Sequence, residues 1–210
     1  MNTYHKIHSI YKRDKQGKFL AEEYSRDEFR YLRNNEWEFT EKVDGINIRI
    51  MFDGEKISYG GKTDKAQMQV DLMEKLRELF DDQLDLFKTI FIPSEGQKTS
   101  ICFYGEGYGA GIQKGGKYRQ DKSFVLFDIK IGTIWLKRSD VESLASKFGI
   151  DCVPIIGYGT LDEGIEKIRD GFSSKWGDFV AEGIIARPCV EMKDRRGDRI
   201  ITKIKYKDFN

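Results

Sequence analysis

The stretch WEFTEKVDGINIRIMFDG, residues 37–54, decides how this chain is read. WEFT leads into KVDG, and beyond Gly45 the residues Ile46, Ile48 and Ile50 alternate with Asn47, Arg49 and Met51. Alternation of period two sends one set of side chains to each face of a half-buried strand. The spacing therefore predicts strand, tight turn, strand. Asp53-Gly54 then predicts a hairpin whose return strand lies near residues 56–59. Lys42 falls between the two β segments with apolar residues on both sides. Two readings stand for it: an ordinary surface lysine beside an Asp-Gly turn, or a partly desolvated amine able to act as a covalent nucleophile.

Outward from this core, residues 66–87 carry Val70, Leu72, Met73, Leu76, Leu79, Phe80 and Leu84 at helical spacing, predicting one amphipathic helix with an acidic outer face. Strands are expected at 100–104, 123–129 and 133–136. A helix at 139–148 is expected to start on a Ser139 cap with Glu142 in the capping-box position and to stop at Gly149. A further helix is expected at 162–169, and final strands at 179–187 and 199–206. Hairpins and non-adjacent strands with irregularly placed helices predict an α+β fold, its sheets largely antiparallel and flanked by helices. No linker divides the chain, so a single domain over residues 1–210 is expected.

Composition narrows the function. Lys+Arg number 36 and Asp+Glu 35, a net charge of +1 that removes the simplest argument for a nucleic-acid protein unless charge is segregated locally. Aromatics at 13% and only 3 prolines argue against disorder. No apolar run approaches the ~20 residues of a spanning helix, and the N-terminus lacks a signal-peptide core, so a cytoplasmic protein without membrane contact is expected. Cys102, Cys152 and Cys189 lie too far apart for a zinc pair or a disulfide framework. His5 and His8 have no further ligand at metal spacing.

Three more segments carry chemistry-bearing residues. YGEGYGAGIQKGG, residues 104–116, fits neither the dinucleotide fingerprint nor the P-loop. It reads as a flexible loop, or as backbone pressed close to a ligand with Glu106 in its middle. Residues 187–210 hold eight Lys/Arg against four acids. Within ITKIKY, Lys203 and Lys205 share a face opposite Ile204, forming either a solvated strand face or a phosphate clamp. Glu182, in the apolar segment AEGIIARP, needs a lysine or a metal ion as partner.

In this order the segments resemble the covalent nucleotidyltransferase superfamily of polynucleotide ligases and RNA capping enzymes, and within it the RNA ligase 2-like family of phages. KVDG is similar to the nucleophile motif K-x-D-G, and GGKTDKAQ to the motif after it, with Lys62 where the family often has arginine. FYGE with Glu106, SFVLFDIK with Phe127, EGIIAR with Glu182 and KIK with Lys203 and Lys205 complete the series. Asn47 stands where DNA ligases and capping enzymes usually carry arginine, which is similar to RNA ligases. Those enzymes also append an OB-fold, and none is expected here.

The resemblance implies a nucleotidyltransferase fold and an ATP-dependent RNA ligase joining 3′-hydroxyl and 5′-phosphate ends. Lys42 would carry AMP, pass it to the 5′-phosphate and so activate that end for the 3′-hydroxyl. Lys203 and Lys205 would hold the α-phosphate and help deprotonate Lys42. Glu106 would accept from a ribose hydroxyl and Phe127 would stack on adenine. Glu41, Asn47, Arg49 and Lys62 would contact the nucleotide or its phosphates. Glu182 would hold the metal's hydration shell or orient Lys42. The implied cofactors are ATP and Mg²⁺, with Mn²⁺ as a substitute. The implied partners are RNA ends, single-stranded, nicked or within an RNA-containing duplex, and a protein supplying a further nucleic-acid-binding domain. If the source is viral, the location would be the host cytosol. Basic residues around 114–119 and 193–199 would position RNA phosphates, with binding that weakens steeply as salt rises. The alternatives are a DNA-nick ligase, a GTP-dependent capping enzyme, and a non-catalytic nucleic-acid-binding module in which the motif lysine is a relic.

Overall fold

The alternation after Gly45 forms a strand, and the Asp53-Gly54 turn brings it back. In the computed structural model, which describes residues 3–92 and 100–210, Ile46–Phe52 pairs antiparallel with Ile57–Gly60. The Asp53 carboxylate closes that turn by accepting from the N–H groups of Glu55 and Lys56. In chain order the elements begin with β1 (His8–Ser9), β2 (Tyr11–Arg13), β3 (Phe19–Tyr24), α1 (Asp27–Tyr31) and β4 (Trp37–Glu41). The hairpin strands follow as β5 (Ile46–Phe52) and β6 (Ile57–Gly60), then α2 (Val70–Phe80) and α3 (Leu84–Phe91). Next come β7 (Ile101–Gly109), β8 (Lys122–Ile131), β9 (Ile134–Trp135) and α4 (Arg138–Phe148). The chain closes with β10 (Asp151–Cys152), β11 (Ile155–Gly159), α5 (Leu161–Asp170), β12 (Gly183–Pro188) and β13 (Thr202–Lys205).

The described chain divides into two compact units. The first holds Asp44–Val153 with the chain start through Tyr4, and the second holds His5–Val43 and Pro154–Asn210. In the first, a sheet of order β10-β8-β7-β5-β6, with β9 on β8, is antiparallel apart from the β10–β8 pair. Ile48, Ile50 and Phe52 face Leu72, Leu76 and Phe80 of α2, Phe87 of α3 and Phe148 of α4. Each such side chain taken fully out of water stabilises the unit by about 1.5–3 kcal/mol. The single helix expected over 66–87 is two helices. Phe80 leaves helical dihedrals at φ −128° and ψ −21°, and a 3-10 turn at Asp81–Gln83 joins α2 to α3. The Ser139 cap is also corrected. Lys137 holds the N-cap position without a side-chain cap, and Glu142 pairs instead with Arg138 Nε at 2.8 Å.

The second unit is a sheet of order β1-β13-β12-β4-β11. Its ladders are antiparallel except for β1 on β13. One face packs Trp37, Phe39, Ile184 and Ile204 against Leu161, Ile165 and Ile168 of α5. α5 starts on a complete capping box between Thr160 and Glu163, which satisfies two otherwise orphaned backbone donors. The architecture is the expected α+β with mostly antiparallel sheets, and no described sheet closes into a barrel. Among the described residues no helix is long and apolar enough to cross a membrane.

Candidate active site

Strand register on the second unit gathers the charged residues. Ile184 lies opposite Glu41 on β4 and opposite Ile204 on β13, so the next row of the sheet is Lys42, Gly183 and Lys205. The Lys42 N–H donates to the Gly183 carbonyl at 3.0 Å and carries the ladder one residue past β4. Residues opposite one another in antiparallel strands project to the same face. Lys42 and Lys205 therefore flank a glycine on one face, with Lys203 two residues along the same strand. The Glu38–Arg187 ion pair, 2.6 Å and also directly cross-strand, marks the far end of that face.

Glu182 joins the two lysines. Its Oε2 lies 2.6 Å from Lys42 Nζ and its Oε1 lies 2.7 Å from Lys205 Nζ. Strict alternation would send this carboxylate to the opposite face, but Gly183 has φ +150°, a conformation that L side chains rarely adopt, and the strand turns there. All three side chains are largely but not fully withdrawn from solvent, with relative exposures of 15–20%. The cluster is thus two cations held by one carboxylate at the edge of water.

Glu41 sits on the other face. Its carboxylate accepts from Ser174 Oγ at 2.6 Å and from the Lys175 N–H at 2.8 Å, and it is buried. As placed, it braces the segment at 174–175 rather than facing Lys42. Burial pushes the Glu41 carboxyl above its ordinary value, opposed by the Lys175 and Ser174 hydrogen bonds. A carboxyl raised on folding contributes stability that is complete below the unfolded value of about 4.3 and is lost as pH rises through the folded value. Glu41→Gln removes that loss. Urea melts from pH 4 to pH 8 should show the variant gaining on the natural protein as pH rises; a constant difference would refute the raised carboxyl.

The residues expected around the nucleotide base and sugar lie on the first unit. Asn47 and Glu106 are direct neighbours across β5 and β7. The Asn47 Oδ1 is buried with no hydrogen-bond partner among the described residues. An orphaned buried acceptor costs about 1–3 kcal/mol, and a donor on a bound molecule would relieve it. Gly45 allows the turn to approach this pair, since a Cβ there would lie 2.7 Å from Glu106 Cγ and nearer still to the Gly107 carbonyl. The first half of the glycine run is therefore not a loop: residues 104–109 lie within β7, paired to β5 and β8.

Phe127 is placed by a β-bulge. Leu126 and Asp128 oppose the consecutive residues Gly105 and Tyr104, leaving Phe127 as the extra residue. A bulge of this kind re-aims a side chain. The half-buried Phe127 ring meets Tyr4 edge-on, centroids 5.1 Å apart, while the Tyr4 hydroxyl donates to Asp128 Oδ2 at 2.5 Å. Arg49 is fully buried. Its Nε donates to the Gly61 carbonyl at 2.8 Å and its Nη2 pairs with Asp64 Oδ1 at 2.7 Å. The guanidinium thus ties down the loop that presents the exposed Lys62.

Tyr4, Tyr118, Ser174 and Asp64 went unread in the sequence. Tyr118 accepts from the Asp44 N–H at 3.1 Å, a contact 74 residues long in sequence. No local pattern announces such a partner. Of the two basic segments, 193–199 forms a hairpin on the second unit, bridged between Lys193 and Arg199. In 114–119, Lys114 and Lys117 are exposed, but Arg119 is held by Asp121 at 2.6 Å.

No group of three or more His, Cys, Asp or Glu among the described residues could hold a metal ion by itself. A magnesium-type ion binds through one or two carboxylates together with substrate phosphates and water. Glu182 is the carboxylate in place for that, so the donor set fits an ion carried in with a nucleotide and not a protein-made cage.

A family model described as RNA ligase matches residues 35–206. An apo mutant of the Naegleria gruberi RNA ligase superposes with a TM-score of 0.65 at 16% identity, over 87% of this chain and 53% of that one. A mutant of the same enzyme solved with ATP and Mn also gives 0.65 at 16% identity, over 97% of this chain and 63% of that one. A third, with AMP and Mn, gives 0.64 at 16% identity, over 85% and 52%. This chain spans 52–63% of the length of these structures, and at that identity the likeness is one of fold.

Proposed function

Because the chain belongs to the RNA ligase family, we propose that it seals RNA ends with ATP through a lysyl-AMP formed on Lys42. The observation that carries this reading is the Lys42–Glu182–Lys205 cluster on one sheet face. In the first step Lys42 Nζ gives a proton to Glu182 Oε2, the acceptor already 2.6 Å away. Its lone pair forms the N–P bond to the α-phosphorus, the bond to the pyrophosphate oxygen breaks, and the nitrogen's second proton leaves with the pyrophosphate. Lys203 and Lys205 neutralise charge on the α-phosphate as it crowds, which is the main demand of phosphoryl transfer. A divalent ion, with Glu182 as its carboxylate, would supply further charge neutralisation at the phosphates.

Once Lys42 is a phosphoramidate it is no longer a cation, and Glu182 Oε2 loses its ionic partner. The proton taken up by Oε2 passes to solvent, and the carboxylate so regenerated would be open to the hydration shell of a bound divalent ion, so one residue would serve both roles that the resemblance implies for it. Glu106 accepts from the ribose, Phe127 stacks on adenine, and a nucleotide donor satisfies Asn47 Oδ1. Lys62, on the loop braced by Arg49, meets phosphate. In the second step the 5′-phosphate oxygen of RNA attacks the AMP phosphorus, and Lys42 takes a proton from solvent and leaves as the amine. In the third, a 3′-hydroxyl attacks the activated end and AMP leaves. On this reading residues 1–210 make up the adenylyltransferase catalytic domain, and the natural ends are separated by a panel of single-stranded, nicked and duplex RNAs.

The test is incubation with ATP labelled at the α- or the γ-phosphate, followed by denaturing electrophoresis. α-Label should stay on the protein and γ-label should not. Absence of covalent label with every nucleoside triphosphate would reduce the chain to a nucleic-acid-binding module.

A further inference from the structure

Beside α1 the second unit carries a groove of about 1010 Å³ whose walls include Arg30, Tyr31, Arg33 and Lys193, with Met192 and Ile200 as apolar contacts. A second concavity of about 390 Å³ shares Asp27 and Glu28 with it and adds Lys12, Arg26, Arg195 and Arg196. Together they hold seven cations against three carboxylates, a surplus of four in a chain whose total is +1. All three of those carboxylates are already engaged, Asp27 by Arg30 at 3.6 Å. Asp194 is buried, takes the Arg26 guanidinium and accepts from the N–H groups of Arg196 and Asp198, which holds its carboxyl at about 2. Glu28 also pairs with Arg26, at 3.3 Å. The 193–199 hairpin is therefore built around an internal acid, with Arg195 and Arg196 turned to solvent. Arg199 points inward to Glu191 at 2.6 Å and takes no part.

Tyr31, the last residue of α1, is 87% exposed at the edge of this cationic groove. A large aromatic ring left in water beside arginines has the chemistry of a stacking platform for unpaired bases, with the cations tracking the phosphates. A duplex hides its base faces, whereas a single strand presents them. Resting on the ligase reading above, we propose that this groove binds a single-stranded segment of the RNA substrate. One base stacks on Tyr31, and the backbone runs along Arg30, Arg33, Lys193, Arg195 and Arg196.

The experiment measures anisotropy of a fluorescein-labelled single-stranded RNA 12-mer lacking a 5′-phosphate, with the full chain, at several salt concentrations. Tyr31→Ala should weaken binding about tenfold with an unchanged salt slope, and Tyr31→Phe should restore it. Arg30→Ala with Arg33→Ala should lower the salt slope by about 0.7 per lost phosphate contact. Lysyl-AMP formation, read without RNA, should be unaffected in all of them. Natural RNA affinity in both Tyr31→Ala and the double variant would overturn the proposal, as would equal binding of a poly-glutamate peptide. Loss of lysyl-AMP in the natural protein would instead overturn the ligase reading, because the binding arm is read separately.

Discussion

Lys42→Ala is expected to carry no covalent nucleotide, a fall of at least about 10⁴-fold in single-turnover adenylylation, since removing a nucleophile costs on that scale or more. Lys42→Arg should fail equally. It keeps a cation beside Glu182, but a guanidinium stays protonated and has no lone pair to offer. The pair of variants therefore separates charge from nucleophilicity. Both should still seal RNA that already bears an adenylylated 5′ end, because that last step breaks a bond in which Lys42 has no share. Retention of α-label in Lys42→Ala would move the nucleophile elsewhere, with Lys205 the first candidate from its place on the same face. Failure on the pre-adenylylated RNA would instead mean that the substitution had disturbed the fold.

Gly183→Ala is expected to be the most damaging single-methyl change near the site. A Cβ there would lie 2.8 Å from Lys205 Cα and closer to the Ile204 carbonyl, both backbone atoms that cannot swing aside. At φ +150° the residue also occupies a region that alanine enters only with strain. Strain of that kind alone costs about 1–3 kcal/mol, and the clash adds to it. β13 must then move off β12, carrying Lys205 from Glu182. The expected outcome is a thermal midpoint lowered by several degrees together with loss of lysyl-AMP. A Gly183→Ala protein with natural stability and full labelling would refute the account of why Glu182 reaches both lysines.

Part of the site was legible from residue order. Lys42 stood between two strands, Lys203 and Lys205 alternated with Ile204, and Glu182 on an apolar strand demanded a partner. Each inference used only period-two alternation and the cost of burying an unpaired charge, and the register bears out the shared face. Arg49 was less legible. Its position predicts a strand residue, but nothing nearby says that its guanidinium is covered and tied to Gly61 and Asp64, twelve and fifteen residues away. The glycine run misled because glycine permits loops and close-packed strands alike, and only the neighbours on β5 and β8 select between them.

The sequence by itself determined the strand and hairpin after Gly45, the face shared by Lys203 and Lys205, and the order of chemical groups along the chain. These follow from the side-chain alternation of a single strand and need no other part of the molecule. Tertiary structure alone decided the sheet order that sets β12 between β4 and β13. It therefore decided that Lys42 and Lys205, 163 positions apart, share one carboxylate. It also turned Glu41 to Ser174 and set Phe127 against Tyr4 at a bulge. The physical reason is that a charge pair or a bulge depends on which backbone lies alongside, and that choice belongs to the packing of the whole sheet.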